Sequence, residues 1–277
     1  MSHKHTTLGT IALAAILISG VVVTMLPILI VFRTSLQLPR DIISGGFFFR
    51  PSMYNYIDTF TTYRFGRLLI NSATAASGTT GIVLVIASLA GFSLAKYRWA
   101  RWWVALILGM LLLIQMLPPV VFAGPFYLIS RQIGIYNTPF ALMMAYLVLQ
   151  LPLAVLILHR FASSIPEEMI EAAKMDGAGN WTTFSRIAMP LMGPGVATAA
   201  LLTFVFSWND FMFAVSLTST TRAMTIPVGI ANFAQDFQVL YGNIAVAASF
   251  AAIPGFLMVL FAQRYVTRGL TLGAIKG

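Results

Sequence analysis

Six uncharged runs constrain this chain more than any other feature: residues 6–32, 68–95, 102–130, 132–159, 187–209 and 237–263, each 23 to 29 residues long. A helix rises about 1.5 Å per residue, so roughly 20 apolar residues cross a hydrocarbon layer about 30 Å thick. Every run exceeds that length. Hydrophobic residues make up 58% of the 277 and charged ones 9%, against about 25% charged in a soluble domain. An ordinary soluble domain is excluded. The sequence is read as an all-α integral membrane protein with about six transmembrane helices in one domain over 1–277. The expected spans are about 11–32, 68–95, 102–129, 139–158, 193–217 and 244–263.

The net charge is +9, but the basic residues flank apolar runs instead of forming the water-facing stripe that nucleic-acid binding requires. No nucleic-acid partner is expected; membrane lipid is. Lys96, Arg98 and Arg101 fall within six positions between two runs, and Arg264, Arg268 and Lys276 follow the last one. Cytoplasmic loops carry such clusters. With six spans both termini then lie in the cytoplasm, although the five arginines of 33–67 weigh against that orientation. The first apolar stretch is longer than the 7 to 15 residues of a signal-peptide core, so it reads as an uncleaved span. No cysteine is present, which removes disulfides, thiolate metal sites and cysteine nucleophiles together. His3, His5 and His159 are too scattered to suggest a metal site.

Three stretches are too polar to span: 33–67, 160–190 and 218–243. The first, with Pro39, Gly45, Gly46 and Pro51 among aromatics, is expected to be an irregular outer loop lying on the membrane through Phe47, Phe48 and Phe49. The second holds Glu167, Glu168, Glu171 and Asp176, four of the chain's eight carboxylates. Ser164 and Glu167 have capping-box spacing, Pro166 suits a first helical turn, and Gly177 suits a helix stop, which predicts a helix over about 165–176. Asn180 is placed to cap a second short helix through Trp181, Phe184 and Ile187, ending before Pro190. Such a knob suits docking into another protein: Ala172 and Ala173 permit close approach, Glu171 and Asp176 accept hydrogen bonds, and Met175 and Ile187 can fill apolar pockets. An amphipathic linker on the membrane surface fits the same residues equally well.

Glu171-Ala172-Ala173, three residues, Gly177, nine residues, Ile187, one residue and Met189-Pro190 together resemble the E-A-A-x3-G-x9-I-x-L-P motif of permease subunits in binding-protein-dependent ABC importers. Met189 stands where leucine is usual. Asn71-Ser72, Ala90 to Arg98, Pro118-Pro119 with Gly134, Pro152, Trp208-Asn209-Asp210 and the tail from Gln263-Arg264-Tyr265 to Lys276-Gly277 are similar to the carbohydrate, maltose-type class. The 1–65 region matches only loosely. The short N-terminus and six spans are similar to the smaller permease of such systems.

The resemblance implies the type I ABC importer permease fold, with 160–190 as its cytoplasmic coupling loop. It assigns Glu171, Ala172, Ala173, Asp176, Gly177, Ile187 and Pro190 to the contact with an ATPase subunit. It also implies a second permease, as a heterodimer, two ATPase subunits and an extracytoplasmic solute-binding protein, in a bacterial or archaeal cell membrane. The chain has no G-x-x-x-x-G-K-[ST] phosphate loop, so it is not read as an enzyme. No cofactor is expected on it; ATP and magnesium belong to the partner ATPases. The substrate is expected to be a disaccharide or oligosaccharide such as maltose or trehalose, with glycerol-phosphate and amino acids as alternatives.

Asp210 is the sole acid within an expected span, and an ionisable residue there is a functional candidate. Two readings stand: a sugar-pathway residue beside Trp208 and Asn209, or a structural cap near the membrane surface. Gln115 and Gln150 are candidates for the same pathway, or for interhelical hydrogen bonds. The 218–243 segment, through Asn232, Phe233 and Gln235, resembles the outer loop that reaches into the binding protein. A self-sufficient ion-coupled carrier would need acid near the midplane, where the sequence offers little. A membrane enzyme would need a metal cluster or a nucleophile with its base, and neither is evident.

Overall fold

In a membrane, every backbone N–H and C=O must be paired within the protein, which leaves a chain of this composition helices as its spanning elements. The computed structural model describes residues 7–46, 48–235 and 238–273. His3, Lys4, His5, Phe47, Lys276 and Gly277 lie outside the described residues. The elements in order are α1 (Thr7–Ser35), α2 (Pro39–Ser44), α3 (Tyr54–Thr61), α4 (Phe65–Lys96), α5 (Arg101–Met116), α6 (Val120–Gln132) and α7 (Pro139–Ser163). Next come α8 (Glu167–Met175), α9 (Asn180–Thr183), a π-helical turn (Phe184–Ala188), α10 (Met189–Leu191), α11 (Gly193–Asn209), α12 (Met212–Leu217) and α13 (Ile226–Asn232). A short antiparallel hairpin, β1 (Ala234–Gln235) with β2 (Gln238–Val239), precedes α14 (Tyr241–Gly273).

Among the described residues four helices are each long and apolar enough to cross a membrane: Ala12–Ser35, Phe65–Lys96, Pro139–Ser163 and Tyr241–Met258. Two bent pairs bring the number to six if each makes one crossing. The segment expected as one continuous span over 102–129 is broken instead: α5 and α6 meet at 97°. Pro118 and Pro119 cause the break, since neither has an N–H to continue the ladder and each disfavours a helical residue before it. The second break, 75° between Asn180–Leu191 and α11, falls at Met192 between Pro190 and Pro194.

Contacts divide the chain into two compact units. One comprises the described residues up to Phe65 with Gly229–Ile253; the other comprises Gly66–Val228 with the described residues from Pro254. The 33–67 stretch is more ordered than the irregular loop expected: its described residues include α2, α3 and the start of α4, joined by non-helical segments. Asn55 Nδ2 donates to Ser35 O and Gln37 O at 3.0 and 2.6 Å, tying α3 to the end of α1. Asn243 Nδ2 donates to Asp58 Oδ2 and Thr59 Oγ1 at 2.8 and 3.1 Å, joining α14 to α3. Phe60, Phe65 and Phe250 meet edge-on beside them.

The second unit is organised around α7, which packs on α5, α11 and α12. One cluster joins Val83, Ala87 and Phe92 of α4, Val155 and Leu158 of α7, Ile170 and Phe184 of the polar loop, and Met192 after it. A second cluster joins Ala75, Leu142, Tyr146, Phe213, Leu217 and Val228. Small residues let the helices approach closely, as membrane packing requires. A side-chain carbon on Gly91 would fall on the backbone of Leu158 and His159. Because backbone atoms cannot swing aside, Gly91→Val is expected to lower the stability of the detergent-solubilised protein by about 1–3 kcal/mol. A thermal unfolding curve unchanged from the wild type would mean that α4 and α7 do not hold this spacing.

Candidate functional site

The 160–190 loop folds as the expected two-helix knob, but with different caps. Ser164 Oγ donates back to Phe161 O instead of capping; the N-cap of α8 is Pro166, and that of α9 is Gly179, so Asn180 is already helical. Ser164 N and Ile165 N close the last turn of α7 on Phe161 O and Ala162 O, so Ser164 belongs to the end of α7 and not to the start of α8. Gly177 does end the first helix. Its φ of +81° is the left-handed conformation that glycine adopts without cost, and Gly177 N and Ala178 N donate to Lys174 O and Ala173 O.

The knob has a buried and an exposed side. Ile170, Ala173, Thr183 and Phe184 face inward. Glu171, Ala172, Asp176, Gly177 and Pro190 are exposed and Ile187 is half-buried. Met175 is 88% and Trp181 69% exposed, giving an apolar tip among carboxylates. Ala173 departs from the expectation that it offers an open surface for close approach. One face of α8 must cover Phe92 and Leu158, and Ala173 lies on that face beside Ile170.

One residue of this site was read from sequence only as a charge anchor. Lys96, at the end of α4, donates through Nζ to Ile165 O at 2.6 Å and meets Glu167 Oε2 at 3.3 Å. Its side chain is 6% exposed whereas that of Glu167 is 55% exposed. The ammonium therefore joins α4 to the first turn of α8 across 71 positions of sequence. Sequence carried only the coincidence of a basic α4 end and an acidic α8 start.

Polar clamps also hold the 218–226 stretch. Asn71 Nδ2 donates to Thr221 O and Met224 O, and Ser72 Oγ accepts from Ile226 N at 2.9 Å. Asn137, with φ of +59°, accepts from Ser219 N and Thr220 N and donates to Thr220 Oγ1. In the first unit Phe233 is buried, edge-on to Tyr63. Asn232 is exposed at the end of α13 and Gln235 belongs to β1.

Of the membrane candidates, Gln115 and Gln150 come together. They line a cavity of about 190 Å³ with Ile114, Leu149, Leu153 and Phe206 at the α5–α6 bend. Gln115 Nε2 donates to Leu149 O at 2.8 Å, so it also joins α5 to α7. Trp208, Asn209 and Asp210 are not part of that wall. Trp208 is buried and stacks on Phe204; Asn209 Nδ2 donates to Val205 O. Asp210 Oδ2 accepts from Phe213 N and Ala214 N, each at 3.1 Å, and from the hydroxyl of buried Tyr146 at 3.0 Å. This is the geometry of a cap on α12.

A helical membrane chain with broken spans and a two-helix knob defines a class, and comparison supplies its family. Residues 84–272 match the family described as binding-protein-dependent transport system inner membrane component. The chain belongs to that family. It is 38% identical over 257 residues to the trehalose transport system permease protein SugB of Mycobacterium tuberculosis, across 91% of this chain and 93% of that one. It is 33% identical to the trehalose/maltose transport system permease protein MalG of Thermococcus litoralis, across 83% of each. A solved bacterial ABC transporter involved in alginate import superposes with a TM-score of 0.79 at 18% identity, over 96% of this chain and 99% of that one. The fold is that of an ABC importer permease, and the chain is an integral membrane transport subunit.

Two expectations follow from these contacts. Lys96→Met removes a charged donor from a buried carbonyl, a loss of about 1.5–3 kcal/mol. Amide exchange over 165–170 is therefore expected to quicken by roughly one to two orders of magnitude. Glu167→Gln, acting on an exposed ion pair worth less than about 1 kcal/mol, should change it little; equal effects would assign the joint to the ion pair. Asp210→Ala is expected to cost about 0.5–2 kcal/mol as a lost cap, lowering the thermal midpoint. A changed substrate affinity at unchanged stability would return Asp210 to the pathway.

Proposed function

We propose that this chain is the permease subunit of an ATP-driven sugar importer and forms half of its translocation pathway. The observation that carries this reading is the knob formed by α8 and α9: a glycine-stopped corner with a buried underside, presenting Met175 and Trp181 among Glu171 and Asp176. Exposed apolar side chains beside carboxylates suit a cleft in a partner. The partner is an ATPase subunit, and Lys96 and the Ile170–Phe184 underside tie the knob to α4 and α7. Closure of two such ATPase subunits on ATP and magnesium would push the knob as a rigid piece and bias the spans between inward-open and outward-open packing.

A second permease completes the pathway as a heterodimer, and an extracytoplasmic solute-binding protein delivers the sugar. In this topology both termini are cytoplasmic and the chain lies in a bacterial or archaeal cell membrane. Support for sugar as the substrate class comes from relatives named for trehalose, maltose and the melibiose/raffinose/stachyose group. A disaccharide is the favoured size. Glutamine amides such as Gln115 and Gln150 can exchange hydrogen bonds with hydroxyls along the route.

The test is co-purification of the tagged chain with its neighbours, combined with Gly177→Val. A β-branched residue cannot hold a φ of +81° without a cost of about 1–2 kcal/mol, so the corner should re-form elsewhere. Wild type is expected to bring down an ATPase pair and a second permease in stoichiometric amounts. The variant should lose the ATPase while retaining the second permease. Recovery of the chain alone as a transport-competent oligomer would replace this reading with a secondary carrier.

A further inference from the structure

The first unit holds a polar cavity that neither the coupling knob nor the Gln115 cavity uses. It measures about 310 Å³ and opens among α2, α3 and the start of α14. Its polar wall is formed by Tyr54, Asn55, Asp58, Tyr241 and Asn243. Ile42, Ile43, Val239 and Leu240 supply apolar surface.

Two observations point to a ligand. Asn55 shapes the wall without offering it a free group: it is 1% exposed, its Nδ2 is committed to Ser35 O and Gln37 O, and its Oδ1 is closed off against Gly242. Asp58 accepts one bond from Asn243 and forms no ion pair among the described residues, although a carboxylate has about four acceptor positions. Tyr54 and Tyr241 are 52% and 56% exposed, leaving two phenol rings at the wall with little covering them.

We propose that this cavity is a carbohydrate subsite on the extracytoplasmic side of the permease. Sugar hydroxyls donate to the Asp58 carboxylate, and Tyr54 and Tyr241 cover the C–H face of a ring. One carboxylate with spare acceptor positions beside two exposed phenols matches hydroxyl and ring contacts better than the single charge of a lysine or arginine from a partner. The volume lies at the lower end of ligand cavities, about 300–1,000 Å³, and suits one or two sugar rings. Placed among the outer segments, it would take sugar handed over by the binding protein before the spans admit it. The inference rests on the sugar reading and on the topology above.

The experiment uses the full importer in lipid nanodiscs without its binding protein, with trehalose and maltose as probes, read by saturation-transfer NMR and equilibrium dialysis. At least one sugar is expected to bind. Asp58→Asn, which keeps an oxygen for Asn243, and Tyr241→Ala, which removes a largely uncovered ring, should each weaken binding by roughly tenfold or more. Ile57→Ala, exposed on α3 and absent from the wall, should not. Binding by neither sugar, or binding unchanged in both variants, overturns the subsite. So does a variant that weakens the binding protein's affinity while sugar binding stays intact, which would make the cavity a pocket for a partner's side chain. Uptake of either sugar by proteoliposomes with the complete system separates the cases. Uptake without binding here sinks the subsite alone; absence of both sinks the sugar reading.

Discussion

Lipid offers no hydrogen bonds, and from that one constraint the organisation of this chain follows. Backbone groups in the hydrocarbon must pair within their own helix, so α1, α4, α7 and α14 run long and unbroken. Two breaks, at Pro118-Pro119 and at Met192, fall where proline interrupts the ladder, and within the expected span 193–217 a third, between α11 and α12, falls at Asp210. At the first, the bend leaves room for the cavity that Gln115 and Gln150 line. Irregular backbone inside a membrane protein is tolerated where it borders a cavity of this kind. The α1 segment Ala12–Ser35 buries none of its apolar window within the chain, as suits a helix whose surroundings are themselves apolar.

Between helices the hydrophobic effect contributes little, because lipid tails are as apolar as leucine, and packing falls to small residues and polar bonds. Gly91 and Gly195 show the first means: added carbons would meet the α7 backbone and the Phe161 ring. Asn71, Ser72, Asn137 and Lys96 show the second. Each satisfies backbone groups of a distant segment, adding polar bonds to the apolar packing that holds the stretches 160–190 and 218–226.

Legibility followed how local each interaction was. The two-helix knob, its glycine stop and the exposed Glu171 and Asp176 were readable because the signals lie within one or two helical turns. Even so, the caps went to Pro166 and Gly179 and not to Ser164 and Asn180; at the first, Ser164 N and Ile165 N are spent closing the end of α7. Ala173 was taken for surface because a nine-residue helix gives too short a pattern to orient its faces. Asp210 stood out by being charged among apolar residues, yet its carboxylate caps α12 and bonds Tyr146, 64 positions away. No spacing rule reaches a partner that far along the chain. Phe233 looked available for a partner and is covered by Tyr63, for the same reason.

The sequence by itself determined that this is a polytopic helical membrane protein, that its polar work is confined to three stretches, and that one of them is a glycine-cornered knob. Uncharged length and local turn chemistry carry that information without reference to any other part of the chain. Only the tertiary structure decided that 102–129 bends into two helices, that 33–67 holds two short helices, that Lys96 joins α4 to the knob, and that Asn55 and Asp58 share a cavity with Tyr241. Those outcomes depend on which distant groups come within about 3 Å of one another. That proximity is a property of the packed helices and not of any single segment.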